Sequence, residues 1–228
     1  MPLAFSCKSS GSCYLRRMTD ALATAEKLLQ AGAVRLNLKE PFTWASGWKS
    51  PIYCDNRKLL SQPFLRDYIK SELANVVFEK FPEADLIAGV ATAGIPWGAM
   101  VADQLKLPFI YVRSKPKEHG LGKQIEGDFS KNQKVVVIED LVSTGKSSLE
   151  VIHVLRDAGL EVSGMVSIFN YRFAKGIQAF EDASVTSISL SDYPALIQLA
   201  RQRNVVNEDE EAVLLKWREA PETWQGVV

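Results

Sequence analysis

The stretch Lys134–Ser148, KVVVIEDLVSTGKSS, decides the fold class of this chain. Its apolar run Val135–Ile138 is typical of a strand that is buried on both faces of a sheet. Two acids, Glu139 and Asp140, follow at once, and a turn of small polar residues leads into a predicted helix, Ser147–Ala158. A buried strand, a turn and a helix in this order predict a βαβ unit with parallel strands.

The same alternation continues on both sides of this stretch. The predicted strands are Leu86–Val90, Phe109–Val112, Lys134–Ile138, Val162–Phe169 and Val185–Leu190. The other predicted helices are one beginning at Thr19, Pro63–Phe81, Ile95–Leu105, Phe173–Phe180 and Tyr193–Gln202. We therefore predict an α/β fold, with a mainly parallel sheet flanked by helices and a small N-terminal addition.

Composition narrows the class of protein. The 228 residues are 46% hydrophobic and 24% charged, which is the balance of a soluble globular protein. Lys+Arg and Asp+Glu are 27 each, so the net charge is zero, and this argues against nucleic acid or a membrane surface as a partner. Three cysteines, without a paired framework, favour a reducing compartment, and we expect a cytoplasmic protein.

The chain divides into a leader and one domain. Residues 1–17 are rich in serine and hold no acid, so we expect a leader or non-native extension that is disordered. Residues 18–228 form the predicted domain. Its three parts are an N-terminal part (18–83), an α/β core (84–203) and a helical C-terminal tail (204–228).

The turn after Asp140 is a candidate anion site. Ser143–Ser147 would place backbone N–H groups and hydroxyls at a helix N-terminus, at the carboxyl end of a parallel strand. Gly145-Lys146-Ser147 also matches the end of a P-loop, but that motif needs a glycine where this chain has Asp140. A carboxylate there would repel the phosphate, so we reject the P-loop interpretation. Glu139 and Asp140 are placed to hold the hydroxyls of a sugar attached to the bound phosphate.

The stretch VVVIEDLVSTGKSS resembles the phosphoribosyl-pyrophosphate (PRPP) motif of the type I phosphoribosyltransferases. Three further segments resemble the orotate-using members of that family. They are FTWASGWKSPIYCDNR, similar to the base-site segment, AGVATAGIPWG, similar to the pyrophosphate loop, and RSKPKEHGLGKQIEG, similar to the mobile catalytic loop. The similarity runs from about Thr19 to Arg203.

The resemblance implies a role for each matching residue. Residues implied to bind PRPP are Thr92, Ala93, Gly94, Arg113, Lys117, His119, Glu139, Asp140, Leu141, Val142, Ser143, Thr144, Gly145, Lys146 and Ser147. Residues implied to bind orotate are Tyr53, Cys54, Ser143 and Arg172. Residues implied to act in catalysis are Lys117, His119, Arg113 and Asp140. No protein metal site is implied, since Mg²⁺ would sit mainly on substrate oxygens and waters.

The resemblance also implies the reaction and the assembly. N1 of orotate would displace pyrophosphate from PRPP, and the loop cations would stabilise the departing charge. The reaction needs no nucleophilic residue, so we assign Cys54 no covalent role. Family members are homodimers in which the mobile loop reaches the partner's site. We expect the aromatic residues of the N-terminal part to form the interface; these are Phe42, Trp44, Trp48 and Tyr53.

Two departures from the family pattern leave individual contacts open. Some members carry a lysine where this chain has Ala45, and that contact is lost unless Lys49 replaces it. Some follow the loop arginine directly with a lysine, whereas here Ser114 precedes Lys115. Two alternatives also remain at this point. One is a phosphoribosyltransferase for another base, and the other is a non-catalytic regulator with this fold that binds PRPP or nucleic acid.

Overall fold

A computed structural model of the chain describes residues 10–114 and 124–226. The helices are α1 (Ser10–Gln30), α2 (Pro63–Lys80), α3 (Gly94–Leu105), α4 (Lys146–Asp157), α5 (Ala174–Asp182), α6 (Tyr193–Gln202) and α7 (Glu208–Glu219). The strands are β1 (Val34–Leu36), β2 (Phe42–Thr43), β3 (Lys49–Ser50), β4 (Ile52–Cys54), β5 (Leu86–Val90), β6 (Phe109–Val112), β7 (Ile125–Glu126), β8 (Lys134–Val142), β9 (Glu161–Asn170) and β10 (Ser187–Asp192). A 3₁₀ helix spans Asn56–Ser61.

Six of these strands form the central sheet, in the order β10-β9-β8-β5-β6-β7. All neighbouring pairs are parallel except β6 and β7, which are antiparallel. The predicted α/β fold with a mainly parallel sheet is confirmed. The predicted strands Leu86–Val90 and Phe109–Val112 and the predicted helix Tyr193–Gln202 have the observed bounds.

Apolar side chains cover both faces of the sheet. On one face, α2 packs against β9, α3 against β5 and β8, and α1 and α6 against β10, around residues such as Leu28, Leu73 and Trp97. On the other face, α4 and α5 pack through Ile152, Leu155 and Phe180. Burial on both faces explains why β5 and β8 are nearly continuous apolar runs.

The N-terminal part forms two small antiparallel sheets beside this core. Strand β1 pairs with β4, and β2 pairs with β3 as a hairpin. No observation here tests the division into parts at residues 83 and 203, which stays a prediction.

Several predicted boundaries differ from the structure by one or two residues, and two are wrong by more. Helix α1 begins at Ser10 rather than at Thr19, so residues 10–17, which we expected to be disordered, are helical. Strand β8 continues to Val142 rather than ending at Ile138, because Leu141 and Val142 still pair with Phe169 and Asn170 of β9. The acids Glu139 and Asp140 therefore lie within the strand and not after it.

Within residues 10–114 and 124–226, no helix has both the length and the apolar character needed to cross a bilayer.

Candidate active site

The candidate site lies where four parallel strands end at the same edge of the sheet. The turn Thr92–Gly94 follows β5, and Arg113 follows β6. Ser143–Gly145 follow β8, and Arg172 follows β9. Carboxyl ends of parallel strands are where ligands bind in open α/β sheets. The fold thus brings the predicted PRPP residues of three separate segments to one edge.

The acid pair is buried and hydrogen-bonded. Glu139 is 5% exposed, and its carboxylate oxygens accept from the Asp140 backbone N–H at 2.9 Å and from Ser148 Oγ at 3.3 Å. Burial, together with the charge of Asp140, raises the pKa of Glu139 well above its ordinary value. Burial also raises the pKa of Asp140, whereas a hydrogen bond with Glu139 and the charge of Arg57 act in the opposite direction. Asp140 is the more accessible acid of the two.

The predicted phosphate loop lines a pocket. Its volume is about 320 Å³, and its lining residues are Leu141, Ser143, Thr144, Gly145, Lys146, Ser147, Ser148 and Glu150. Gly145 has φ +78°, a left-handed conformation that favours glycine, and α4 begins at the next residue. The pocket therefore opens at a helix N-terminus, where free N–H groups and the helix dipole favour an anion. Val142, which was also predicted to bind PRPP, is buried in β8.

The turn Thr92–Gly94, which is predicted to bind pyrophosphate, is in close contact with the acid strand, that is, with β8, which carries Glu139 and Asp140. A Cβ added at Gly94 would lie 2.5 Å from the carbonyl oxygen of Ile138 and 3.4 Å from the Cα of Glu139. Only glycine allows the start of α3 to approach β8 this closely. Thr92 is exposed and Ala93 is partly exposed at the same turn.

Arg113 lies at the base of the predicted mobile loop. Its backbone N–H donates to the carbonyl of Gln124 at 2.9 Å, and Gln124 Nε2 donates back to the Arg113 carbonyl at 3.1 Å. Its guanidinium lies 3.6 Å from Glu126 Oε1. The predicted loop residues Lys117 and His119 lie outside the described residues, as does Lys115. The two ends of the loop are therefore held together beside the site.

The predicted base-site residues lie beside the acid strand. Tyr53 packs between Phe42, at 5.6 Å between ring centroids, and the guanidinium of Arg35, at 5.3 Å from its ring. Cys54 Sγ donates to Asn56 Oδ1 at 3.3 Å. Burial, with the charges of Asp140 and Asp55, raises the pKa of the Cys54 thiol. This thiol is therefore neutral and unsuited to nucleophilic attack.

Arg172 is held at the end of β9 but does not line the phosphate-loop pocket. Its backbone has φ +58°, and its N–H donates to Asn170 Oδ1 at 2.7 Å. Its side chain lines a groove of about 640 Å³ between α1, α2 and β10, and Nε lies 4.0 Å from Asp192 Oδ2. The preceding residue, Tyr171, is buried, and this burial raises the pKa of its hydroxyl well above the ordinary value.

The aromatic residues of the N-terminal part do not form a free surface as expected. The ring of Trp44 packs within the chain against Tyr171 at 5.0 Å and against Trp217 at 5.8 Å. The ring of Trp48 packs against Phe173 at 6.3 Å. Residues far along the chain cover these two rings in part, which leaves less aromatic surface than expected, and the aromatic interface stays a prediction.

Lys49 lies close in the fold to Ala45, the position at which some family members carry a lysine. Ala45 is exposed at the β2–β3 turn. Lys49, on β3, is also exposed, and its Nζ donates to Thr43 Oγ1 at 2.8 Å. Lys49 therefore carries a cation on the same hairpin as Ala45.

Two residues of the N-terminal part belong to the site and were not predicted. Asn56 is 1% exposed, and its Nδ2 donates to the carbonyl of Asp140 at 2.7 Å, which joins the N-terminal part to the acid strand. Arg57 forms an ion pair with Asp55 at 2.6 Å, and its charge acts on Asp140 and Tyr53. The available signal in the sequence was that DNR ends the segment FTWASGWKSPIYCDNR, which resembles the base-site segment of the family.

Among the described residues, no group of three or more His, Cys, Asp or Glu side chains could hold a metal ion. The acid pair offers hard carboxylate oxygens and no complete cage. This donor set fits an ion such as Mg²⁺, which usually binds one or two carboxylates together with substrate phosphates and waters.

Comparisons with known proteins agree with this geometry. The phosphoribosyl transferase domain family matches residues 58–198. An orotate phosphoribosyltransferase of Phocaeicola vulgatus is 52% identical over 89% of this chain and 95% of its own length. The crystal structure of orotate phosphoribosyltransferase from Aeropyrum pernix has a TM-score of 0.68 and 30% identity, over 80% of this chain and 99% of that one. The structure of Leishmania donovani UMP synthase has a TM-score of 0.72 and 31% identity, over 87% of this chain and 42% of that one.

The sheet, the acid pair and the phosphate loop are those of a phosphoribosyltransferase, which is the class that the domain match defines. Within that class, the chain belongs to the orotate phosphoribosyltransferase family.

Proposed function

We propose that the protein transfers the ribose 5-phosphate group of PRPP to orotate. The products are orotidine 5′-monophosphate and pyrophosphate, in the route to UMP. The observation that carries this proposal is the meeting of three parts at one sheet edge: the acid strand, the phosphate-loop pocket and the turn at Gly94. Membership of the orotate phosphoribosyltransferase family supports the choice of orotate as the base.

The phosphate end of the site would hold PRPP at three points. Ser143–Ser147 would bind the 5′-phosphate at the N-terminus of α4. Asp140, the more accessible acid, would accept hydrogen bonds from the ribose hydroxyls, and Glu139 would support it from the buried side. The backbone of Thr92–Gly94 would run along the pyrophosphate. Each point lies on the sheet edge described above.

Catalysis would consist of positioning and charge stabilisation. The bond from the anomeric carbon to the pyrophosphate oxygen breaks, N1 of orotate forms the new bond to that carbon, and the departing pyrophosphate would accept the proton that N1 loses. Arg113, with Lys117 and His119 from the loop, would stabilise the negative charge that develops on pyrophosphate. Because the raised pKa keeps the Cys54 thiol neutral, no covalent intermediate is part of this proposal.

The base end would involve Tyr53, Cys54, Ser143 and Arg172. The ion pair of Arg172 with Asp192 is long, at 4.0 Å, and the arginine side chain is 48% exposed. An exposed pair of this kind is weak, so the guanidinium is free to bind the orotate carboxylate instead. Lys49 offers a further cation on the neighbouring hairpin.

Mg²⁺ would act as the cofactor, with Asp140 as the accessible carboxylate near it. When bound, it would neutralise charge on the phosphate oxygens of PRPP. The residues of this chain would hold the sugar and phosphates in place around it.

The assembly would be a homodimer in which each mobile loop completes the partner's site. Trp44 and Trp48 of the N-terminal part are partly covered within the chain, so a second surface would contribute to the interface. That surface would be the open groove between α2 and α3, where Phe64 is 91% exposed beside Met100. Exposed aromatic side chains on a helix face are typical of interfaces, and α3 begins at the pyrophosphate turn.

Mixing two variants of strongly reduced activity tests the assembly. If the loop acts in trans, Lys117→Ala protein mixed with Asp140→Asn protein should recover activity. With random exchange about half the dimers are mixed and each has one intact site, so the rate should approach roughly a quarter of wild type. No recovery after exchange is verified by mass would place the loop and the acid pair in one subunit.

The decisive experiment for the function is loss of orotate absorbance in the presence of PRPP and Mg²⁺. The same assay with uracil, adenine and hypoxanthine distinguishes a transferase for another base. Binding of PRPP without turnover of any base would instead favour the non-catalytic regulator. A cytoplasmic location is part of the proposal, and it rests on the sequence, in which three cysteines form no paired framework.

A further inference from the structure

Helix α7 carries a tryptophan into the aromatic cluster behind the base end of the site. The helix starts with a capping box, in which Asn207 Oδ1 accepts from the Glu210 N–H and Glu210 accepts from the Asn207 N–H, each at 2.9 Å. Such a box fixes where the helix begins. Leu214 and Trp217 are then fully buried against the rest of the chain. The position of Trp217 is therefore well defined.

Trp217 contacts both aromatic neighbours of Arg172. Its ring lies 6.0 Å from Tyr171 and 5.5 Å from Phe173, each at a steep angle. The rings of Tyr171 and Phe173 are themselves stacked, 5.4 Å apart with 9° between their planes. Between them, Arg172 has the left-handed backbone that only surrounding contacts maintain in a residue other than glycine. Edge-to-face packing by Trp217 supplies such contacts.

Trp217 also holds the hairpin that carries Lys49. Its indole Nε1 donates to the backbone carbonyl of Lys49 at 3.2 Å, across 168 residues of sequence. Trp44, on the turn of the same hairpin, packs against Trp217 at 5.8 Å. One side chain thus contacts the two segments that supply the proposed base contacts.

We infer that Trp217 is a positioning residue for the orotate end of the site. It would fix the backbone of Arg172 through the rings of Tyr171 and Phe173, and the β2–β3 hairpin through the hydrogen bond to Lys49. This inference rests on the proposed function. It assigns the C-terminal helix a role in base binding, whereas the phosphate loop and the acid pair do not depend on it.

Trp217→Phe tests the inference, because it keeps an aromatic ring and removes the N–H donor to Lys49. We expect KM for orotate to rise about 3- to 10-fold, as for loss of one hydrogen bond, while KM for PRPP and kcat stay within about twofold. Trp217→Tyr should change KM in the same direction. Urea unfolding of each variant verifies that the protein is folded.

Tyr193→Phe is the matched control. It removes a hydrogen bond to the same helix, from Tyr193 OH to the Leu214 carbonyl at 3.0 Å, and makes no change at Lys49. A similar loss of stability with an unchanged KM for orotate would support the positioning role. Equal changes in both variants, or no change of KM in Trp217→Phe, would overturn it. If the wild-type protein converts no orotate, the proposed function fails and this inference fails with it.

Discussion

The phosphate end and the base end of the site are assembled in different ways. Most of the phosphate end, namely the acid pair and the phosphate loop, lies within one continuous stretch, in which a central strand passes directly into a turn and a helix N-terminus. The turn at Gly94 joins it through close backbone contact with β8. The base end is built from a hairpin, the segment after β9 and a helix that follows the whole sheet. The first depends on backbone geometry over a few residues, and the second on packing between distant segments. Substitutions at the phosphate end should therefore differ in their effects from substitutions at the base end.

The largest expected effect is at the acid strand. Asp140→Asn should keep the fold and lower kcat/KM for PRPP by about 10- to 150-fold, the loss associated with one charge-assisted hydrogen bond. Steady-state kinetics with varied PRPP concentration measure this loss of kcat/KM. The control is Asp157→Asn, at an exposed position of α4. Unchanged kinetics would show that the phosphate end has been placed wrongly.

A pair of glycine substitutions compares packing at the two ends. Gly94→Ala would place a Cβ 2.5 Å from the Ile138 carbonyl, so we expect the free energy of unfolding to fall by about 2–3 kcal/mol. A Cβ added at Gly47, on the β2–β3 turn, would have no atom within 4 Å, so the only cost of Gly47→Ala is the left-handed φ of +88°. Its loss should be about 1 kcal/mol. Urea unfolding measures both, and equal losses would contradict the tighter backbone packing at the phosphate end.

Glu139→Gln should make the free protein more stable. Because burial raises the pKa of Glu139 in the folded state above its ordinary value of 4.5, the folded protein binds this proton more tightly than the unfolded chain does. Stability then decreases as pH rises above 4.5, and this loss is still present at pH 7. Removing the charge should add about 1 kcal/mol at pH 7 and flatten the pH dependence, while activity falls. Thermal unfolding from pH 5 to 8 measures the effect, and Glu161→Gln, at an exposed position, is the control. A lower melting temperature of Glu139→Gln at pH 7 would contradict the prediction.

The smallest expected effect is at the N-terminus. Removal of residues 1–17 should leave activity and the melting temperature nearly unchanged, because the composition changes abruptly at Met18. Helix α1 spans this boundary, so the experiment also asks whether its first turns stabilise the domain. A fall of many degrees on truncation would show that they do.

The two ends also differed in how far they could be predicted. The phosphate end was predicted because buried strands, polar turns and helix starts leave a pattern within a few neighbouring residues. The end of β8 was misplaced because pairing with β9, which adjacent residues do not encode, extends the strand to Val142. The contact of Trp217 with Lys49 and the hydrogen bond of Asn56 to Asp140 join residues far apart in sequence. No local periodicity reveals such pairs, and only the folded chain brings them together.

The burial of Trp217 has a consequence for synthesis of the protein. The chain emerges from the ribosome with its N-terminus first, so every strand of the central sheet emerges before α7 does. A nascent chain can then form the phosphate pocket before Trp217 packs against the rings of Trp44 and Tyr171. Competence to select a base would be the last property that the growing polypeptide acquires, and ribosomal products that stop before Trp217 would lack it.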